Sequence, residues 1–193
     1  MLDAQINEFW DWFEKNSNNL YSDNYDRDLL QKLDQTILDF GLTWEIGPGL
    51  TKKNSLTISP NGQKNLIVRA KEITDKAPSI DNWEFFSYKQ PKENWDKASL
   101  GNKSNISASD WTYVLLKFPD NKFEITVKAD NLKSLDLQTK ELVVDLVLTN
   151  LLGEKRKIDE INFIEIVDDF EGEKGITQIK FLPAHLDKIK NDA

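Results

Sequence analysis

The sequence predicts an α+β fold, in which helices pack on a largely antiparallel sheet of about six strands. Before Gly41, apolar residues recur every three or four positions, which is typical of amphipathic helices. After Gly41 they recur at every second position, as in half-buried strands joined by short turns. The order strand, strand, helix, strand then occurs twice, so the sequence also predicts a repeated ββαβ arrangement.

The N-terminal segment predicts a helical hairpin over residues 1–41. Its second helix is expected over residues 25–40, with Gly41 as the left-handed residue that follows the helix. On the first helix, Trp12 lies about 60° beyond Phe9, at the edge of a broad apolar stripe. The residues expected in this stripe are Ile6, Phe9, Trp10 and Phe13.

The rest of the chain completes a single predicted domain of residues 1–193. Residues 42–90 predict one ββαβ segment, and residues 110–193 predict another followed by a short C-terminal helix. The polar stretch 91–109 between them is expected to be an irregular loop. The segment "NWEFFSYKQP" has apolar residues on both faces, which is typical of a central strand or of one covered on both sides.

Composition excludes several classes of function. The 193 residues carry a formal net charge of -8 and contain no cysteine, so disulfides, thiolate catalysis and cysteine-bound zinc are excluded. The acidic charge and the scarcity of arginine disfavour nucleic-acid binding, which needs a basic surface. Neither a basic, apolar leader nor a long apolar span is visible. We therefore expect a bacterial-type cytoplasmic location, no membrane contact and no bound cofactor.

The stretch "NEFWDWFEKN" brings four large rings together, and two interpretations compete for it. One is a stacking surface for a sugar or a base, and the other is the apolar side of a helix. Helical spacing favours the helix core for three of the rings. Trp12 stays a candidate contact for a ligand or a partner, and Trp95 in the stretch 91–109 is a second candidate.

No residue is predicted to be catalytic. The sole histidine, His185, lies near the C terminus, and because the chain has no nucleophile elbow we expect it to be a surface residue. Two acidic clusters could hold a hard cation, although neither has the spacing of a calcium loop. A solvated turn and the acidic first turn of a helix are simpler explanations. The clusters are Asp168, Asp169, Glu171 and Glu173, and Asp23, Asp26 and Asp28.

Four short segments follow one sequence pattern, namely E-[IF]-G-P, I-S-x-[DN]-G, A-P and W-x-F. The matching residues are Glu45–Pro48, Ile58–Gly62, Ala77–Pro78 and Trp83–Phe85. With this pattern the chain resembles an uncharacterised family of small bacterial cytosolic α+β proteins, a domain of unknown function. The later stretches "NLLGE" and "FLPAHLDK" are also similar, so the resemblance covers most of the chain. It implies the α+β fold and assigns no functional residue.

The sequence predicts a non-enzymatic cytosolic binding or interaction protein. Its most specific form is an acidic neutraliser of a basic protein, such as a toxin. The prediction depends on the negative charge, the missing nucleophile and base, and the pairing of Trp12 with the loop 91–109. Two alternatives stay open, a self-associating structural protein and a small carboxylate-dependent, metal-assisted enzyme. The acids that such an enzyme would use are Asp168, Asp169 and Glu171.

Overall fold

The chain divides into two compact units, Met1–Lys89 and Gln90–Ala193. The boundary coincides with the predicted end of the first ββαβ segment, and the single domain stays a prediction. Within the described part of the chain, none of the helices combines the length and the apolarity that crossing a bilayer requires. The computed structural model describes residues 2–21, 26–99, 105–172 and 174–191. The candidate acids Asp23 and Glu173 lie outside these residues.

The described part of the first unit contains three α-helices and a three-stranded sheet. In chain order these are α1 (Leu2–Leu20), α2 (Arg27–Asp39), β1 (Thr43–Pro48), β2 (Asn54–Ser59), α3 (Ile67–Asp75) and β3 (Trp83–Phe86). Strand β2 pairs antiparallel with β1 and parallel with β3. Because α3 connects the two parallel strands, the sheet and this helix form the expected ββαβ segment.

The helical N terminus is present, and its apolar stripes are buried. All four stripe residues of α1 are between 0% and 3% exposed. The ring of Phe13 packs edge-on against Trp83 and Phe85 of β3, with centroid distances of 5.0 and 5.6 Å. Burial of such rings contributes much of the stability of a small core. The start of the second helix predicted at Tyr25 lies outside the described residues.

Both ends of α2 are capped, and the turn at Gly41 is the one that its sequence predicts. Asp26 accepts a hydrogen bond from the backbone N–H of Asp28 at 2.9 Å, which satisfies a donor at the start of the helix. Gly41 follows the helix with a φ of +76°. This left-handed turn lets the backbone N–H of Leu42 donate to the carbonyl of Ile37 at 3.1 Å. The cap directs the chain from α2 into β1.

The central strand of the first sheet is β2, so the prediction of a central strand in "NWEFFSYKQP" is wrong. All six residues of β2 are buried, whereas β3 lies at an edge and only Trp83 in it is buried. Because Ser55 and Thr57 are polar, the hydrophobicity pattern of β2 does not indicate a central strand. Buried hydroxyls are tolerated when they are hydrogen-bonded, as when Ser55 donates to the carbonyl of Pro48 at 3.0 Å.

The described part of the second unit contains three α-helices and two sheets. The elements are β4 (Lys97–Ser99), β5 (Asn105–Ser107), β6 (Thr112–Lys117), β7 (Phe123–Lys128), α4 (Leu137–Leu152), α5 (Glu154–Glu160), β8 (Ile161–Val167), β9 (Thr177–Gln178) and α6 (Leu182–Asn191). Strands β4 and β5 form an antiparallel pair. The other sheet has the order β8-β7-β6-β9, in which β7 is antiparallel to β6 and parallel to β8.

The α+β class is confirmed, but the single six-stranded sheet is wrong. The described strands form three sheets of three, two and four strands. Alternation along the chain shows where strands are, but it does not show which strands pair, and the pairing is what separates these sheets. The repeated order is present, since a hairpin followed by a helical crossover to a parallel strand occurs in both units.

The stretch 91–109 is not irregular throughout. It contains β4 and β5, in which Ala98 lies opposite Ile106, and these two residues are 3% and 8% exposed. Strands of three residues are too short to show a period in sequence, so the pattern did not reveal them. Residues 100–104 lie outside the described residues.

The helix α5 was not expected from the sequence, because "EKRK" looks like a polar end to α4. Gly153, with a φ of +77°, separates the two helices. The side chains of Lys157 and Glu160 on α5 are only 10% exposed, and Glu160 is held by Arg156 at 3.0 Å and by Lys190 at 2.7 Å. Burying a charge is costly unless it is paired, and these pairs make α5 part of the core.

Candidate functional site

A groove on the first unit, which we call the α1–α2 groove, is the candidate binding site. Its volume is about 560 Å³. Concave sites of about 300–1,000 Å³ that are largely apolar and hold a few polar groups are typical of small-molecule binding. The lining residues are Leu2, Gln5, Glu8, Phe9, Trp12, Lys32, Thr36, Asp39, Phe40 and Arg69.

Except for Arg69 on α3, the groove residues lie on α1 and on α2 with its C-terminal cap. Both series follow steps of three or four residues with one adjacent pair each, from Leu2 to Trp12 on α1 and from Lys32 to Phe40 on α2 and its cap. Each series therefore forms one face beside the buried stripe of its helix. Trp12, which the sequence places at the edge of the stripe, reaches the wall of the groove for this reason.

Three aromatic rings supply the apolar wall. The ring centroid of Phe9 lies 6.4 Å from that of Trp12 and 6.2 Å from that of Phe40. Phe9 and Phe40 are only 2% and 5% exposed, whereas Trp12 is half-buried. The two phenylalanines therefore close the floor, and the indole of Trp12 presents the accessible ring surface. Helical spacing assigned Phe9 to the core alone, but Phe9 is both a core residue and part of the groove lining.

Two cations mark the two ends of the aromatic wall. The Nζ atom of Lys32 lies 5.3 Å from the ring centroid of Trp12, within range of a cation–π interaction. The Nη1 atom of Arg69 donates to the backbone carbonyl of Phe40 at 3.1 Å. These contacts place Lys32 at the Trp12 end of the groove and Arg69 at the Phe40 end.

Two other polar groups of the lining are hydrogen-bonded within α2. Thr36 donates its hydroxyl hydrogen to the carbonyl of Lys32 at 2.8 Å, and Asp39 accepts from the side chain of Gln35 at 2.8 Å. Glu8 is exposed on α1. Among the described lining residues there is no nucleophile hydrogen-bonded to a base, which covalent catalysis requires.

No protein-family model, curated protein or solved structure matches this chain. The resemblance to an uncharacterised bacterial family therefore stays a prediction. Because a fold by itself does not determine function, the function has to be inferred from the chemistry of the α1–α2 groove.

Trp95, the second predicted binding residue, lies in the second unit just before β4. It is half-buried and packs against the hydrophobic core of that unit. Among the described residues it is not part of the lining of the α1–α2 groove. A binding role for Trp95 stays a prediction.

The candidate metal ligands Asp168, Asp169 and Glu171 follow β8. Asp169 accepts from the backbone N–H of Phe170 at 3.0 Å and from Nζ of Lys128 at 3.3 Å. These hydrogen bonds hold the pKa of Asp169 below its usual range, and the bond from the backbone N–H has the larger effect. Within the described part of the chain, no three acidic or histidine side chains are grouped so that they could hold a metal ion. Metal binding at these acids stays a prediction.

His185 is not the surface residue that the sequence predicts. It is half-buried on α6, and its Nδ1 atom lies 2.9 Å from the hydroxyl oxygen of Tyr113, a residue that is 0% exposed. Burial raises the pKa of Tyr113 to about 12. A buried hydroxyl needs a hydrogen-bond partner, and His185 supplies it. The prediction was wrong because no local pattern on α6 reveals a tyrosine on β6.

Sequence reasoning missed the cations of the groove. Lys32 lies on the polar side of α2, and Arg69 was notable only as one of three arginines in the chain. Both meet the aromatic wall through the packing of helices that are distant in sequence. The displacement of Trp12 from the apolar stripe was the one local sign that α1 has a second contact surface.

Proposed function

We propose that this is a non-enzymatic binding protein whose α1–α2 groove holds a small organic ligand with a flat, apolar body. The observation that carries the proposal is the half-buried indole of Trp12 in a groove of about 560 Å³, above a floor made by Phe9 and Phe40. Stacking of a planar ring on such a surface contributes roughly 1–3 kcal/mol. The bacterial cytoplasmic location belongs to the same proposal and is supported by composition alone.

A concave aromatic site distinguishes a small ligand from a protein partner. The net charge of -8 would attract a basic protein, but charge alone selects no particular surface. The groove, in contrast, offers both apolar area and a few orienting polar groups. Neutralisation of a basic protein therefore stays a prediction, and so does the carboxylate-dependent enzyme.

The proposal can be tested with the six tryptophans of the chain. In ¹⁵N-labelled protein each indole N–H gives a separate NMR signal, and Trp12→Phe and Trp95→Phe assign the two that matter. Planar probes such as indole and quinoline are titrated into the millimolar range. We expect the Trp12 signal to shift in a saturable manner, while the Trp95 signal stays in place.

Two variants separate the groove from the rest of the molecule. Trp12→Ala should abolish binding of the probes, because it removes the accessible ring, and Trp95→Phe should leave binding unchanged. Stabilisation of the folded state by the probes, seen as a higher Tm, should follow the same pattern because ligands that bind the folded state stabilise it. A probe set that never moves the Trp12 signal, or that moves only the Trp95 signal, would refute the proposal.

A further inference from the structure

Two cations, Lys32 and Arg69, line the α1–α2 groove. In the described part of the chain neither Lys32 nor Arg69 forms an ion pair, although the sequence has 33 acidic and 25 basic residues. Arg156, in contrast, contacts Glu160 at 3.0 Å and Asp187 at 2.6 Å. Two cations without a described carboxylate partner beside one groove leave N–H donors that an anionic ligand could bind.

Arg69 is positioned to bind a carboxylate. Among the described residues, one of its five N–H donors forms a hydrogen bond, from Nη1 to the carbonyl of Phe40. That bond fixes the guanidinium at the Phe40 end of the groove. The remaining donors form a planar fork, which matches the two oxygens of a carboxylate.

Lys32 adds positive potential at the other end. Its ammonium lies over the Trp12 ring, on a face where a flat ligand would stack. The lysine stem is flexible, so the ammonium can move to the edge of the ligand and keep its charge close. Glu8 and Asp39 also line the groove, and Asp39 is already engaged by Gln35. Because like charges repel, these two acids favour a ligand with one negative charge over a ligand with several.

We infer that the ligand of the α1–α2 groove is an aromatic monocarboxylate. Its ring lies against Phe9 and Trp12, and its carboxylate binds the guanidinium of Arg69. This inference rests on the proposed function, which requires only a flat, apolar ligand, and adds the charge of that ligand.

Three probes with one ring system test the inference. Indole-3-acetate, indole and tryptamine carry a negative charge, no charge and a positive charge on the same indole. Their Kd values are measured from the Trp12 NMR signal at low salt. We expect indole-3-acetate to bind on the order of tenfold more tightly than indole, and tryptamine to bind most weakly. Added salt should reduce the difference between the probes.

Substitutions test whether the guanidinium of Arg69 causes the preference for the negatively charged probe. Arg69→Gln should bring the Kd of indole-3-acetate to that of indole, and Arg69→Lys should keep part of the preference because it keeps the charge but loses the fork. Lys32→Gln should cause a smaller loss in the same direction. Arg27→Gln removes the same charge from an exposed position of α2 outside the lining, so it is the matched control and should change nothing.

The outcomes separate this inference from the proposed function. Equal affinities for the three probes, or tightest binding of tryptamine, would overturn the anionic ligand while the flat-ligand proposal stands. If no probe moves the Trp12 signal, both fail. Because Arg69 also bonds to Phe40, the Tm of each Arg69 variant is checked first. If Arg69→Gln unfolds, Arg69→Lys and Lys32→Gln carry the test, and an unchanged preference in both would overturn the inference.

Discussion

The ammonium nitrogen of Lys32 lies 5.3 Å from the ring centroid of Trp12, so that a side chain of α2 covers part of the ring that α1 presents to the groove. This contact joins the two helices at the open end of the aromatic wall. The ammonium also gives the half-buried ring of Trp12 a polar neighbour.

Replacing Lys32 should therefore affect stability as well as binding. Lys32→Gln should lower the free energy of unfolding by about 0.5–1 kcal/mol, the usual contribution of an exposed cation–π contact. Lys32→Arg should retain it, because a guanidinium also stacks on aromatic rings. Urea denaturation measures both. Lys64→Gln is the control, since Lys64 is exposed and lies outside the groove lining, and an equal loss there would contradict the assignment.

Glu84 should make the first unit sensitive to acid. Desolvation raises the pKa of Glu84, but hydrogen bonds from Thr51 and from the backbone N–H of Leu50 outweigh it and leave the pKa below its ordinary value. A lowered folded-state pKa stabilises the protein above the unfolded-state pKa, and this stabilisation is lost as the pH falls through the folded-state pKa. Glu84→Ala should thus destabilise the protein at neutral pH and much less in acid.

A matched substitution separates the charge of Glu84 from its shape. Glu84→Gln keeps one acceptor oxygen for the N–H groups of the loop, so its cost at neutral pH should lie below that of Glu84→Ala. Urea denaturation at a series of pH values measures both variants. If the free energy of unfolding changes with pH in the same way for the wild type and Glu84→Ala down to the most acidic pH, the acid sensitivity does not come from Glu84.

Gly153 should not tolerate a side chain. Its φ of +77° strains any L-residue, and an added Cβ would lie 2.9 Å from Cδ of Pro91. Gly172, with a φ of +85° and no atom within 4 Å of an added Cβ, is the control for a positive φ without a close contact. Gly172→Ala should cost about 1–2 kcal/mol and Gly153→Ala clearly more. Equal costs in urea denaturation would show that the contact with Pro91 does not matter.

Tyr113 should lower stability in alkaline solution. Burial raises its pKa to about 12, above the unfolded value near 10, so its contribution is complete below pH 10 and is lost as the pH rises toward 12. Tyr113→Phe should remove this loss. At neutral pH the variant should cost about 1 kcal/mol, because the hydrogen bond with His185 is absent. Phenolate absorbance reports the pKa of Tyr113, and urea denaturation reports the free energy of unfolding at neutral and alkaline pH. If Tyr113→Phe loses as much stability in alkaline solution as the wild type does, the assignment of that loss to Tyr113 would be refuted.

Much of the local structure could be predicted, since it depends on neighbours in the chain. The stripe of α1, the turn at Gly41 and the alternation in β7 follow from side-chain periods and from the backbone freedom of glycine. Strand pairing could not be predicted, because Ser55 and Thr57 make the central strand β2 look half-exposed. The short β4 and β5 and the charged α5 gave no period that a reading of the sequence could use.

The site was predicted only in part. Trp12 was singled out because a ring at the edge of an apolar stripe lacks an obvious place in the core. Its partners Lys32, Phe40 and Arg69 come from other elements, and only the packing of those elements brings them to the same groove. Local rules contain no information on such contacts.

The edge position of β8 has a consequence for the behaviour of the protein in concentrated solution. In the described pairing β8 bonds to β7 on one side only, and Phe163 on it is 58% exposed. A seven-residue strand with an open row of backbone groups is a template for strand addition between molecules. The carboxylates of Glu165 and Asp168 place negative charge along and just beyond this edge, so electrostatic repulsion should oppose its pairing with a second copy. Acid or high salt, which remove that repulsion, should turn the edge of β8 into the first point of aggregation.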